Sequence, residues 1–231
     1  MAKIHESYEL RNRHGVFRDR DEAGEFLGGM LLPAYGSRED VILLTIPMGG
    51  VPVARKIRHA LNCPMDLIIV RKIQIPGNTE AGFGAMTQEG DVFLNEPLMA
   101  TLNLGPEQVE HQSAKVRGEL AERNERLRGS RPFPDLKGKT VILVDDGLAS
   151  GFTMKASIFM ARKRDAAKIV VAVPTAPRRS LETLDNAVDV FFCPNIQDGM
   201  RFAVAAAYRN WHDLETDVVE AMLVEEGMGP G

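Results

Sequence analysis

One segment near the middle of the chain constrains its fold more than any other. Residues 141–153 read VILVDDGLASGFT. The four apolar residues have the length and β-branched content of a buried strand. Two carboxylates, Asp145 and Asp146, follow, and then a loop of small and hydroxyl residues. Beyond Thr153 apolar residues recur at helical spacing. The segment therefore predicts a strand that passes through an acidic loop into a helix.

Such a junction offers both halves of a sugar-phosphate site. The first N–H groups of a helix lack partners within the helix, and the helix dipole favours an anion there. We expect a phosphate to be held by the loop of Gly147, Leu148, Ala149, Ser150, Gly151, Phe152 and Thr153. Asp145 and Asp146 would accept hydrogen bonds from sugar hydroxyls. The alternative is a buried strand whose acidic end only caps a helix, and receiver-type domains also carry an acidic pair after a strand.

The whole segment resembles the phosphoribosyl-pyrophosphate (PRPP) signature of type I phosphoribosyltransferases. The resemblance runs through the hydrophobic quartet, the acidic pair and the closing Gly151-Phe152-Thr153, and Ser150 keeps the hydroxyl of the family's usual Thr. It extends over most of residues 17–220 to a subgroup without an assigned acceptor, which has a VRK…PG…E…GA pattern. The resemblance implies binding of Mg²⁺ and PRPP, transfer of ribose 5-phosphate to an acceptor, and release of pyrophosphate.

Composition places the chain among ordinary globular proteins. Its 231 residues, 44% of them hydrophobic, suit one domain over residues 1–231 with a polar lead-in at 1–15. A net charge of −4 gives no case for nucleic-acid binding. No apolar run reaches membrane-spanning length, the start is too polar for a signal peptide, and the two cysteines lack metal spacing. We expect a cytoplasmic protein without a protein-held metal, in which Mg²⁺ arrives on PRPP near Asp145 and Asp146.

Apolar periodicity predicts strands that alternate with helices. Helices are predicted over residues 17–32, 51–61, 106–128 and 199–211, and after residue 153; in the first, Ala23, Phe26, Leu27 and Met30 would face inward. Strands are predicted over residues 41–46, 66–70, 139–144, 168–173 and 188–192. The alternation indicates an α/β fold with a doubly wound, mostly parallel sheet and flanking helices. Residues 83–86 and 92–94 would add a β-hairpin arm, and the C-terminal part a small hood.

Ligands of such sheets bind at the carboxyl ends of the strands. The loop at residues 47–51 follows a predicted strand, and Gly49 and Gly50 permit close approach to an anion. The resemblance places a pyrophosphate-binding loop here, usually with Arg or Lys before the paired glycines, where this chain has Met48. Loss of that cation leaves open whether the protein turns over PRPP.

Two cations, Arg71 and Lys72, are expected at the end of the second main strand. Charge-assisted contacts of about 1.5–3 kcal/mol each would suit pyrophosphate, although a solvated strand end fits equally. The Gly-rich residues 73–90 that follow are predicted to form a mobile lid. Within them Glu80 would orient the acceptor or a cation, or simply face solvent.

Two positions in the sequence bear on the acceptor. Enzymes for 6-oxopurines usually carry an Asp where this chain has Ala149 and a Lys in the loop that here reads Pro174-Thr175-Ala176-Pro177. Both differences argue against hypoxanthine or guanine. Tyr208 and Trp211 would stack on a ring or pack in the core.

The sequence thus predicts a cytoplasmic phosphoribosyltransferase with Asp145, Asp146, Arg71 and Lys72 as catalytic residues. The alternative is a non-catalytic regulator that senses PRPP or a nucleotide on the same fold. The charged helix over residues 106–128 has a thin apolar stripe, which predicts either a solvated surface helix or a homodimer contact.

Overall fold

The computed structural model describes residues 2–230, except for the side chains of Thr79 and Glu80, so the predicted role of Glu80 lies outside the described residues. The α-helices are, in chain order, α1 (Arg20–Tyr35), α2 (Gly50–Leu61), α3 (Glu96–Thr101), α4 (Pro106–Arg128), α5 (Phe152–Lys163), α6 (Arg178–Leu184) and α7 (Thr216–Glu225). The strands are β1 (Lys3–His5), β2 (Val41–Thr45), β3 (Met65–Leu67), β4 (Val70–Ile75), β5 (Asn78–Thr87), β6 (Val92–Leu94), β7 (Thr140–Val144), β8 (Lys168–Ala172), β9 (Thr175–Pro177), β10 (Val190–Phe192) and β11 (Asn195–Gln197).

A six-stranded sheet forms the centre, in the order β1-β10-β8-β7-β2-β3 with every pair parallel. Both faces are covered. Leu27 of α1 and Ile57 of α2 belong to the core on one face, whereas Met154 of α5 and Leu181 of α6 belong to the core on the other. Strand β7 is buried throughout because it lies in the middle of this arrangement. The predicted fold class is confirmed.

The polar start of the chain contributes the edge strand β1 to the main sheet. Lys3 lies opposite Val190 of β10, and the ring of His5 stacks on Phe192 with 4.4 Å between centroids. The sequence predicted only a lead-in here, because three residues with one apolar side chain give no usable periodicity.

The second predicted strand ends earlier than expected. Strand β3 stops at Leu67, and Val70 already begins β4 in a separate antiparallel sheet of order β4-β5-β6. The prediction that Arg71 and Lys72 lie at the end of the second main strand is therefore wrong. Residues 67–70 are all apolar and buried, so hydropathy does not mark where the main sheet ends. At this corner Arg128 donates to the backbone oxygen of Leu67 at 3.1 Å.

The predicted hairpin arm is present as β5 and β6, with β4 as its third strand. One face of this small sheet puts Ile73 and Phe83 into the core shared with α4. The other face puts Val70 and Ala85 into the core shared with α5. Helix α4 itself buries Val116, Leu120 and Leu127 in its own chain's core. The apolar stripe of this helix thus has an intramolecular partner.

Two further predictions are wrong. Phe26 is 39% exposed, although Ala23 and Leu27 are buried as predicted. In place of a helix over residues 199–211 the chain forms only a 3₁₀ turn, Val204–Ala207. The backbone there pairs with a distant segment: Gly15 donates to Ala206 and Arg209 donates to Phe17, each at 2.8 Å. These long-range hydrogen bonds override the local helical pattern.

None of the helices within residues 2–230 has the length and apolar character that crossing a bilayer requires.

Candidate active site at the carboxyl edge of the sheet

The candidate site is assembled where β7 and β2 end side by side. Thr45 lies opposite Val144 in the parallel ladder, and the Ile46 N–H donates to the Val144 oxygen at 2.9 Å. The acidic pair after β7 and the glycine loop after β2 are therefore neighbours. Fold class predicted both loops at the carboxyl edge of the sheet, and the pairing of β2 with β7 makes them neighbours.

The glycine loop touches the acidic pair closely. A Cβ atom placed on Gly49 would lie 2.0 Å from Oδ2 of Asp146, and one on Gly50 would lie 2.8 Å from the Val144 oxygen. Neither glycine has a positive φ, so contact rather than backbone conformation excludes a side chain. The Pro47–Met48 peptide is cis, and Met48 packs partly buried against the core.

Asp146 is paired with an arginine that the sequence analysis missed. Arg20, the first residue of α1, donates through Nε to Oδ2 of Asp146 at 2.8 Å. The side chains are 8% and 14% exposed. Arg20 sits among charged neighbours in RDRDE, a pattern typical of a solvated helix start, so no local signal marks it as buried.

The C-terminal segment closes over this ion pair. The Arg20 guanidinium donates to the backbone oxygen of His212 at 2.9 Å and lies 3.9 Å from the ring centroid of Trp211. The Tyr208 hydroxyl donates to the backbone oxygen of Asp146 at 2.6 Å. Tyr208 and Trp211 thus contact the site, as packing partners of the arginine and the acidic loop. Residues 208–212 form this cover, in the part of the chain where the sequence predicts a small hood.

The two carboxyl groups perturb each other. Burial raises the pKa of Asp145 well above its ordinary value, and the negative charge of Asp146 raises it further. Burial also raises the pKa of Asp146, while Arg20 opposes that rise. The N–H of Asp146 donates to Oδ1 of Asp145 at 2.9 Å, which fixes that side chain. Like charges held at one edge of a sheet are suited to bind hydroxyl or cationic groups of a ligand.

The loop between the acidic pair and α5 leaves helix N–H groups available. Gly151 precedes α5 with φ +83° and provides no side-chain cap. Ala149 and Ser150 are exposed, whereas Leu148 is buried and its N–H donates to the Thr175 oxygen at 2.9 Å. A Cβ on Gly147 would lie 2.4 Å from a methyl of Val204. Residues 147–153, called the cradle below, are anchored at Leu148 and exposed at Ala149 and Ser150. A loop of this form at a helix start can bind an anion.

Arg71 and Lys72 leave β4 on opposite faces. Arg71 donates to the carboxylate of Glu119 on α4, on the face of β4 that it shares with Ile73. Lys72 follows it on the strand and therefore points to the opposite face, where its Cγ lies beside Gly82. Their predicted role toward pyrophosphate stays a prediction.

No cluster of three or more His, Cys, Asp or Glu side chains able to hold a metal occurs among the described residues. Two adjacent carboxyl groups, one of them engaged by Arg20, do not make a complete cage. This donor set suits a Mg²⁺ ion that arrives on a phosphorylated substrate and keeps several waters.

A family model described as "Phosphoribosyl transferase domain" matches residues 33–209. The chain belongs to the phosphoribosyl transferase family. The matched region contains the acidic pair, the glycine loop and the cradle, but ends before Trp211 and begins after Arg20. The predicted family is confirmed.

Two curated relatives from Mycobacterium tuberculosis, of strains CDC 1551 and H37Rv, are each named "Putative phosphoribosyl transferase". Each is 35% identical over 208 residues, which is 90% of this chain. The chain spans 46% of the length of each relative.

Among solved structures, TT1426 from Thermus thermophilus is 34% identical with a TM-score of 0.72, covering 90% of this chain and 98% of that one. The AQ2163 protein from Aquifex aeolicus is 14% identical with a TM-score of 0.50, covering 77% of this chain and 75% of that one. The second likeness is one of fold alone.

Proposed function

We propose that the protein binds PRPP with Mg²⁺ and transfers its ribose 5-phosphate unit to an acceptor, releasing pyrophosphate. The observation that carries this proposal is the adjacency of three parts at one sheet edge. These are the acidic pair, the uncapped start of α5 and the close-packed glycines after β2.

Each part has a distinct role in the proposed reaction. The N–H groups and hydroxyls of residues 147–153 bind the 5-phosphate. Asp145 and Asp146 accept hydrogen bonds from the ribose hydroxyls. Gly49 and Gly50 let pyrophosphate approach the loop, where it meets the Gly49 amide, because the Gly50 N–H already donates to the Ile46 oxygen at 3.1 Å. Arg71 and Lys72 contribute after a change in the hairpin arm.

The chemical step is a displacement at C1 of the ribose. The bond from C1 to the pyrophosphate oxygen breaks, and its electron pair leaves with pyrophosphate. Arg71 and Lys72 would stabilise the charge of the pyrophosphate, and a Mg²⁺ ion bound to the substrate would supply further positive charge. The acceptor's lone pair forms the new bond from the opposite side, with inversion. Because the ribosyl centre becomes cationic, water must be excluded, which gives the hairpin arm a purpose as a lid.

The acceptor is proposed to be other than a 6-oxopurine. Ala149 offers no carboxylate, and residues 174–177, which the sequence predicted as a loop and which form β9 from Thr175 onward, contain no lysine. The Thr175 oxygen already accepts from the Leu148 N–H. We propose a cytoplasmic location, consistent with the two buried free thiols, Cys63 and Cys193.

A second candidate function is a sensor that binds PRPP or a nucleotide without turnover. Two observations favour it. Met48 provides no cation at the glycine loop, and Arg71 is engaged by Glu119 rather than directed to the acidic pair.

Calorimetry with PRPP and Mg²⁺ tests the binding, and an acceptor screen that follows pyrophosphate release tests turnover. Replacing both Asp145 and Asp146 by Asn removes charge-assisted contacts of about 1.5–3 kcal/mol each. We expect the affinity for PRPP to fall at least about tenfold, since about 1.4 kcal/mol is one factor of ten. Unchanged binding by the folded double variant contradicts the assignment. Binding without pyrophosphate release for any acceptor favours the sensor.

A further inference from the structure

Arg20 occupies an unusual position for a residue outside the family's matched region. It lies in α1, 126 positions before Asp146 in the chain, and its side chain is 8% exposed. A buried guanidinium is costly unless its charge and its donors are satisfied. Here a carboxylate, a carbonyl oxygen and an aromatic face all satisfy it.

Three anchors fix the orientation of this guanidinium. Nε bonds to Oδ2 of Asp146 at 2.8 Å, and a terminal nitrogen bonds to the His212 oxygen at 2.9 Å. The plane lies 3.9 Å from the ring centroid of Trp211, within the range of a cation–π contact. An arginine held on several sides loses its rotamer freedom once, during folding, and not again when a ligand binds.

The pair uses only one oxygen of Asp146. Oδ2 receives Nε, and the same oxygen is the atom that a Cβ on Gly49 would strike at 2.0 Å. Oδ1, the other oxygen, is not a partner of Arg20. Arg20 thus holds the carboxylate in one rotation and leaves Oδ1 outside the ion pair.

We infer that Arg20 is a positioning residue for the acidic pair: it fixes the carboxylate of Asp146 so that Oδ1 meets a ribose hydroxyl, and Trp211 and His212 fix Arg20 in turn. This inference rests on the proposed function. Arg20 touches neither the sugar nor the phosphate and acts through Asp146.

A purely structural role would be a brace between α1 and the C-terminal segment. Removing a purely structural contact of this kind weakens the binding of every ligand and lowers the melting temperature. Removing a positioning residue weakens the binding of only those ligands that present a ribose hydroxyl to Asp146. Ribose 5-phosphate and inorganic phosphate differ in this respect, because both fill the cradle but only one carries hydroxyls.

The test measures binding of both ligands by calorimetry for Arg20→Gln, Arg20→Lys, Asp146→Asn and the double variant R20Q/D146N. The matched control is Arg38→Gln, which also removes an arginine from an arginine–aspartate pair, but an exposed one before the amino end of β2. We expect R20Q to lower the affinity for ribose 5-phosphate about tenfold and to leave the affinity for inorganic phosphate unchanged. R20K should recover part of the loss, and R38Q should bind both ligands as the wild type does.

The double-variant cycle decides whether Arg20 acts through Asp146. We expect R20Q/D146N to bind ribose 5-phosphate no more weakly than D146N alone, whereas two independent effects would add. Equal weakening of both ligands by R20Q, or additivity with D146N, overturns the inference. If R20Q does not fold, Trp211→Leu takes its place, because it keeps the charge of Arg20 and removes the stacked ring. Trp211→Leu should weaken binding of ribose 5-phosphate more than binding of inorganic phosphate, to a smaller degree than R20Q. Absence of this selectivity in Trp211→Leu also overturns the inference.

Failure of the inference and failure of the proposed function are distinguishable. A wild-type protein that binds neither PRPP nor ribose 5-phosphate overturns both. A wild-type protein that binds them, with R20Q unchanged, overturns the role of Arg20 alone.

Discussion

At the scale of the residue, the site depends on the absence of side chains as well as on charge. Gly49, Gly50 and Gly147 each have a neighbouring atom less than 3.0 Å from where a Cβ would lie. These contacts bring backbone from two loops and the 3₁₀ turn onto the acidic pair and its loop. A glycine at each of these positions sets the spacing between loops, and the apolar periodicity of the sequence does not reveal it.

We expect Gly49→Ala to disturb the site more than the fold. The added Cβ would meet Oδ2 of Asp146 at 2.0 Å and force the carboxylate away from Arg20. Overpacking of this kind costs about 1–3 kcal/mol, and binding of ribose 5-phosphate should weaken together with the melting temperature. Gly29→Ala in α1 is the control, because its Cβ meets nothing within 4 Å. That control should stabilise by about 0.5–1 kcal/mol. An unaltered affinity in Gly49→Ala would refute the close contact.

Asp145 should make stability depend on pH. Because its pKa is raised in the folded protein above the ordinary 3.8, the ionised carboxylate destabilises the fold at high pH. Each unit of the rise corresponds to about 1.4 kcal/mol. Below about pH 4 the group is protonated in both folded and unfolded chains, and the effect vanishes.

We therefore expect Asp145→Asn to melt at a higher temperature than the wild type at pH 8, with a difference that shrinks as the pH is lowered towards 4. Thermal unfolding monitored across this pH range measures it. The exposed Asp135→Asn serves as the control and should give no such trend. A gain that does not change with pH would show that charge burial is not its cause.

Residues within the signature were predictable, because the acidic pair and the loop after it are contiguous in sequence. Arg20 was not, because its partner lies 126 positions away and its neighbours read as solvent-exposed. The roles of Arg71 and Lys72 illustrate a third case. Their side chains leave β4 on opposite faces, which follows from strand geometry only once the strand's true bounds are known.

At the scale of the element, the buried strands of the main sheet were read correctly, since β2, β7 and β8 are continuous apolar runs. The errors fall where long-range partners decide. The corner between β3 and β4 depends on Arg128, and the segment that includes Val204–Ala207 depends on hydrogen bonds to residues 15–18. Local pattern carries no information about either partner.

The arm formed by β4, β5 and β6 is the element most suited to respond to pyrophosphate. Its ladder is irregular between Ile73 and Ile75, and Arg71 at its root is held by Glu119 of α4. We expect PRPP with Mg²⁺ to slow amide hydrogen exchange across residues 73–88, and ribose 5-phosphate to do so less, because only PRPP carries the pyrophosphate. Exchange measured by mass spectrometry reports this difference.

Glu119→Gln is the matched variant for the arm. It weakens the hold of α4 on Arg71 without changing the arm itself, so protection by PRPP should be reached at lower ligand concentration. Equal protection by both ligands, or none by either, would contradict a lid gated by pyrophosphate and would favour the sensor.

At the scale of the whole molecule, alternation of strands and helices predicted the layers but not the strand order. The position of β7 between β8 and β2 and the pairing of β1 with β10 join segments that are far apart in the chain. Two parallel strands that pair are not joined by a short turn, so the sequence does not show which strands are neighbours. The site at the carboxyl edge is thus implied by fold class, whereas its closure by α1 and the C-terminal segment is a property of the complete arrangement.

The bond from Arg20 to the His212 oxygen has a consequence for how the chain is made. A ribosome adds roughly 5–20 residues per second, so a nascent chain waits roughly 10–40 s between the two partners. During that interval the arginine has neither its carbonyl nor its aromatic cover, and β1 has no neighbour until β10 emerges. The surroundings of the pair between Arg20 and Asp146 are therefore complete only after residue 212 has left the exit tunnel.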